Sequence, residues 1–137
     1  MPWVSPKPLK WLARVWLWYA VHMGLNDWSE QIVIAELADE PAFSEDMDAL
    51  CQRLDDVESP QTPDVILDMR SVGYLNSSNL AQLLRLRKKL AHAGKRLRIC
   101  SVNDGVWSIL LTTGIDSLFT FNDDVSTSLA SLQMAPN

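Results

Sequence analysis

Two adjacent hydroxyls, in the run Tyr74-Leu75-Asn76-Ser77-Ser78-Asn79, are the groups best placed to do chemistry in this 137-residue chain. They follow the apolar run Val65-Ile66-Leu67 and precede a long helical pattern that starts near Leu80. A strand that runs through a polar loop into a helix sets such hydroxyls beside unpaired backbone N–H groups. The helix dipole favours negative charge there. Three uses are open: Ser77 or Ser78 caps the helix, one of them accepts a phosphate, or the loop presents a surface to a partner. A phosphate would add about −1.5 to −2 charges and three acceptor oxygens. The helix end tolerates that group, whereas a partner packed over the same end does not.

Other chemistry has no pattern to carry it. The glycines are isolated at Gly24, Gly73, Gly94, Gly105 and Gly114, so there is no phosphate-cradling loop. His22 and His92 stand without a nucleophile to activate or a cluster of metal ligands. Cys51 and Cys100 lack metal-ligand spacing and read as buried free thiols of a reducing compartment. Carboxylates are plentiful, but no pair is singled out for acid–base work. The expectation is a non-enzymatic domain without cofactor or metal. A small enzyme or ligand-binding domain would instead need a deep polar pocket at the strand ends.

The net charge of −5 argues against a nucleic-acid binder, which shows a basic footprint. The charge is uneven. Asp27 to Glu58 holds eleven acidic residues and one basic one, Arg53, whereas Arg85 to Arg98 holds seven of the twelve Lys and Arg. These are either two solvated helical faces or a dipolar surface that orients a protein partner.

The elements that must position Ser77 alternate along the chain. Gln31 to Leu37 is β-branched and roughly alternating, and predicts a strand. Ser44 offers an N-cap, with Glu45 and Asp46 in the first turn. Phe43, Met47, Leu50, Cys51 and Leu54 share one face of the helix that follows. Two prolines, Pro60 and Pro63, end that segment. The run Asp64-Val65-Ile66-Leu67-Asp68 suits a central strand covered on both faces. From Ser77, the residues Leu80, Leu83, Leu84, Leu86, Leu90 and Ala91 form a wide helical stripe, closed at Gly94. Arg96 to Cys100 predicts the next strand. Asn103-Asp104 caps a helix bearing Val106, Trp107, Ile109, Leu110 and Leu111 and ending at Gly114. Leu118 to Phe121 is a brief strand. Asp123-Asp124 opens a last helix with Val125, Leu129 and Leu132 inward. Such alternation predicts an α/β fold: a small, mostly parallel (mixed) sheet of about four strands flanked by about four helices.

Residues 1–22 differ from the rest. They hold four of the six tryptophans (Trp3, Trp11, Trp16 and Trp18), with Lys7, Lys10 and Arg14 and no acid. A signal peptide, an interfacial membrane helix, a helix packed on the domain and a true translation start at Met23 all fit this composition. The last is the favoured reading, with a single domain over 23–137. Membrane contact would come only through a genuine extension, because the apolar run Val15 to Val21 is far short of the roughly 20 residues that span a bilayer.

Taken in order, Asp64 to Asp68, then Val72-Gly73-Tyr74-Leu75-Asn76-Ser77-Ser78, then Gly94 with Lys95 to Ile99, then Leu111-Thr112-Thr113-Gly114-Ile115-Asp116 with Leu118-Phe119, resemble the STAS domain of bacterial anti-sigma factor antagonists. The resemblance spans about Gln31 to Leu132. It implies a cytoplasmic regulator of transcription that works by partner switching. The dephosphorylated domain binds a kinase-fold anti-sigma factor, and the kinase releases itself by phosphorylating a hydroxyl at the start of the second helix. The family pattern Asp-Ser-(Ser or Thr)-Gly falls on Asn76, Ser77, Ser78 and Asn79. This makes Ser77 the phosphoacceptor candidate and the four residues the partner-binding set. Asn76 replaces the usual Asp and removes a negative charge. Asn79 replaces the usual Gly and adds a side chain where a kinase would approach. A STAS scaffold or subunit without phosphoregulation, in a signalling or transport complex, is the alternative. The strand that opens the family's domain has only Leu25 to Ser29 available to form it.

Overall fold

The apolar segments predicted as strands lie side by side, and the chain returns through a helix each time. Residues 25–29, 31–57 and 59–134 are described by the computed structural model. The readings for residues 1–22 and the choice of Met23 as the start lie outside the described residues.

One sheet holds β1 (Leu25–Ser29), β2 (Ile32–Ala38), β3 (Asp64–Ser71), β4 (Leu97–Cys100) and β5 (Thr120–Asn122), in that spatial order. β2 to β5 are parallel, and β1 joins β2 antiparallel. The sheet is therefore mixed and mostly parallel. Its fifth strand is β1, the segment with the weakest strand signal. Pairing with β2 defines it, with a register shift between Asp27 and Ser29. Among the described residues the helices are α1 (Ala42–Asp55), α2 (Ser77–His92), α3 (Asp104–Thr113) and α4 (Val125–Met134), with 3-10 turns at Ser59–Gln61 and Asp116–Leu118.

Period-two alternation sorts the strands onto two cores. Val33, Ala35 and Leu37 of β2 join Val65, Leu67 and Met69 of β3 and Ile99 of β4 on one face. Against them pack Phe43, Met47, Leu50 and Leu54 of α1, Leu83, Leu86 and Leu90 of α2, and Val106 and Leu110 of α3. The opposite face carries Ile32, Ile66 and Cys100, which pack with Leu132 of α4. β3 is covered on both faces, which explains its unbroken apolar run. Each full burial of a Leu, Ile or Phe contributes roughly 1.5–3 kcal/mol. Both cysteines are free and buried, and burial pushes both thiols up.

Several local expectations are corrected. Ser44 is not the N-cap of α1: the helix begins at Ala42, with Pro41 in the cap position and Ser44 in the first turn. Leu84 and Ala91 of the predicted stripe are exposed, and so are Trp107 and Leu111 of α3. The inward stripe of α2 is filled by Leu83, Leu86 and Leu90 at spacings of three and four, which turns Leu84 away from the sheet. Asp46 is only 6% exposed instead of standing as a solvated first-turn acid. Desolvation first, then the neighbouring Glu45, push its carboxyl up to about 6.

Candidate functional site

Parallel strands deliver their following loops to one end of the sheet, the usual place for sites in α/β folds. Here the loops after β2, β3 and β4 are tied together by side chains. Asp39 Oδ1 accepts from the Gly73 amide at 2.9 Å. Asn103 Nδ2 donates to the Val72 carbonyl at 2.6 Å, while its Oδ1 accepts from the Val106 amide at 2.9 Å and caps α3. Buried Val72 and Leu75 anchor the β3–α2 loop from below, leaving Tyr74 65% exposed. The loop that leads to Ser77 is thus fixed from both flanks and from the core.

At the start of α2 the structure decides who caps the helix. Asn76 is the N-cap in extended conformation, and its Oδ1 accepts from the Asn79 amide at 2.8 Å. Asn79 answers: its Oδ1 accepts from the Asn76 amide at 3.0 Å. This is a reciprocal capping box with Asn in place of the usual Glu or Gln. Neither Ser77 nor Ser78 caps the helix, so that use of the serines is corrected. Both are exposed on the first turn. Among the described residues their hydroxyls and amides have no protein partner.

Asn79 does not stand in front of Ser77. It is 2% exposed and turned inward, with Nδ2 near Gln82 Oε1 at 3.3 Å and Glu40 Oε1 at 3.4 Å. The capping bond holds it there, so an approaching enzyme does not meet its side chain. The four predicted residues therefore divide. Ser77 and Ser78 face outward, Asn76 is half-buried, and Asn79 belongs to the interior.

Sequence reasoning missed Glu40. α2 has no acid of its own in the first turn. Glu40 arrives from the loop after β2 and meets the Asn79 amide group there. Its carboxylate also accepts from the Ser44 amide at 2.7 Å and the Ser44 hydroxyl at 2.8 Å. The Ser44 hydroxyl foremost, with the Ser44 amide and Asn79 also contributing, holds the Glu40 carboxyl below its ordinary value against a smaller opposing desolvation. The detectable signal was Glu40 four residues before Ser44, a spacing that lets the acid reach a helical first turn. On the same strand-end surface, Trp107 meets Phe121 edge-on at 4.9 Å and lines a cleft of about 220 Å³ with Val102 and Asp123.

Among the described residues, no group of three or more His, Cys, Asp and Glu is placed to hold a metal, and no helix is long and apolar enough to cross a membrane.

Comparison with known proteins places these features. The sequence matches the STAS domain over residues 30–128. No curated protein matches it. An anti-sigma-factor antagonist (STAS) domain protein from Planctomyces limnophilus is similar in structure, with a TM-score of 0.65, 16% identity, and coverage of 77% of this chain and 93% of that one. The STAS domain of a SulP transporter from Vibrio cholerae gives a TM-score of 0.65 at 15% identity, covering 87% and 97%. The Bacillus cell fate determinant SpoIIAA in its phosphorylated form gives 0.61 at 11% identity, covering 79% and 96%. At these identities the likeness is one of fold.

Proposed function

The chain belongs to the STAS domain family, and from that premise we propose that it is an anti-sigma factor antagonist of the cytoplasm whose Ser77 end binds a kinase-fold anti-sigma factor and is released by phosphorylation of Ser77. The observation that carries this reading is the division of labour at the start of α2. Asn76 and Asn79 do the capping, which leaves the Ser77 hydroxyl exposed and without a structural task. A residue free of structural duty can be modified without unfolding the helix.

The mechanism is electrostatic and steric. A phosphate on Ser77 meets the amides of the first turn and the positive end of the dipole, so α2 accommodates it. A partner packed over Tyr74 and Ser77 meets a bulky dianion in its interface, and binding is lost. Asn76 carries no charge, and the carboxylate that reaches the start of α2 is Glu40, through the Asn79 amide group. The family resemblance supports the partner class, and the fold supports a binding role over catalysis.

The test is to incubate the chain with the kinase-fold anti-sigma factor of the same genome, ATP and Mg²⁺. Mass spectrometry should place one phosphate on Ser77, and Ser77→Ala should take none. A stable complex that never phosphorylates the chain would replace the switch with a STAS scaffold that binds without phosphoregulation.

A further inference from the structure

Ion pairing is distributed unevenly over the basic stretch of α2 and β4. Lys89 pairs with Asp55 of α1, and Arg96 pairs with Asp64 at 3.2 Å. Arg87, Lys95 and Arg98 have no carboxylate within 4 Å among the described residues. Two of these three are nevertheless fixed in place. Arg87 Nε donates to the Leu118 carbonyl at 2.7 Å. Arg98 Nε donates to Ser131 Oγ at 3.0 Å, and its Nη1 donates to the Leu97 carbonyl at 3.3 Å. Neutral acceptors orient both guanidiniums without cancelling their charge.

Arg87, Lys95 and Arg98 all line one cleft of about 200 Å³, with Leu90, Leu118 and Phe119 among its apolar lining, and the Arg98 guanidinium is turned to Ser131 of α4. Leu118 is 41% exposed at that cleft. The cleft lies beside β5, which closes the spatial order of the sheet. Arg87 is ten residues along α2 from Ser77, roughly 15 Å by helical rise. Partial desolvation and the proximity of Arg96 lower the Arg98 pKa, and Asp64 opposes them in part. Arg87, held by a neutral acceptor, and Lys95, both without a carboxylate within 4 Å among the described residues and set beside an apolar floor, favour an occupant that brings carboxylates flanking an apolar side chain.

We propose that this cleft, formed by α2, β4 and the turn before β5, is a second docking site that takes an acidic segment of a partner protein, with one apolar side chain seated against Leu90 and Phe119. The site is separate from the Ser77 end and does not rest on the reading given to it. The domain would then hold one partner segment constantly while the other end is switched. The complementarity is local, because the chain as a whole is acidic.

The probe is a synthetic ten-residue peptide of Glu and Asp with one central Leu, titrated into the ¹⁵N-labelled full chain at low salt. Saturable shifts are expected at Leu90, Ala91, Lys95 and Leu118 to Thr120, with Ser77 to Gln82 unmoved. Lys95→Glu should weaken binding by about tenfold or more. Arg87→Gln should weaken it too, with Lys95→Glu keeping the test decisive if loss of the Leu118 contact perturbs the fold. Replacing the central Leu by Ser should also weaken it, and Ser77→Asp should leave it unchanged. Absence of saturable binding would overturn the proposal, as would shifts that map elsewhere or an affinity indifferent to Lys95→Glu. Self-association at low salt that Lys95→Glu abolishes would also overturn it, by assigning the cleft to a second copy of the chain.

Discussion

Ser44 and Ser77 both sit in the first turn of a helix at the same end of the sheet, yet they are used in opposite ways. Ser44 is consumed by structure: its amide and hydroxyl both donate to Glu40, which does for α1 what Pro41 in the cap position cannot. Ser77 is spared, because Asn76 and Asn79 satisfy each other's amides across the start of α2. A serine near a helix start is therefore no indication of function by itself. What matters is whether another residue has relieved it of capping.

That contrast can be broken at its strongest point first. Asn79→Ala removes half of the capping box and strips Gln82 of a buried partner. It should cost about 2 kcal/mol in urea unfolding, combining a lost cap with an unsatisfied buried group. Asn76→Ala should cost about 1 kcal/mol, within the usual range for an N-cap. If either change left stability untouched, Ser77 or Ser78 would have to be sharing the capping after all.

On the α1 side Asp46, just past the first turn, is buried where Glu40 is solvated. Its folded pKa of about 6 lies above the ordinary 3.8, so between those values the folded state binds more protons than the unfolded one. Its ionisation therefore removes stability as pH rises from about 4 through 6, and the penalty is complete above that. Asp46→Asn should stabilise the protein at pH 7 by about 1–2 kcal/mol, discounted for solvent screening, and by almost nothing at pH 3.5. Denaturation midpoints at the two pH values read this directly. An equal gain at both would show that packing, not charge, is responsible.

Glu40 has the opposite sign. Its folded pKa is lowered, so its contribution is present above the unfolded value of 4.5 and is lost as pH falls through the folded one. Glu40→Gln should lower stability at pH 7 by less than Asn79→Ala does, and the difference from wild type should vanish in acid. The smallest effect belongs to Ser77→Ala, which should change stability by no more than about 0.5 kcal/mol. A loss comparable to that of Asn76→Ala would mean that the hydroxyl has a structural task.

Much of this architecture was legible in the residues. The unbroken apolar run of β3, the alternation in β2 and the glycines at positive φ after α2 and α3 each follow from local physical rules. β1 was nearly illegible: Leu25 to Ser29 has no alternation, and only pairing with β2 makes it a strand. Ser44 was misplaced because sequence shows a good capping residue but not that the helix has already begun at Ala42. The capping box is hard to read from sequence because Asn79 stands where the usual pattern has Glu or Gln, and a polar Asn beside the serines suggests a surface position. Burial of Asp46 and the reach of Glu40 to α2 depend on how α1 and α2 pack, which no local window contains.

Under the proposed function, the exposed, structurally idle hydroxyl of Ser77 governs partner binding. The direct measurement is calorimetric titration of the kinase-fold anti-sigma factor into the chain before and after phosphorylation at Ser77, with Ser44→Ala alongside. Phosphate should weaken binding at least tenfold, about 1.4 kcal/mol or more, while Ser44→Ala should leave the unphosphorylated affinity unchanged. Equal affinity for the phosphorylated and unphosphorylated forms would contradict it.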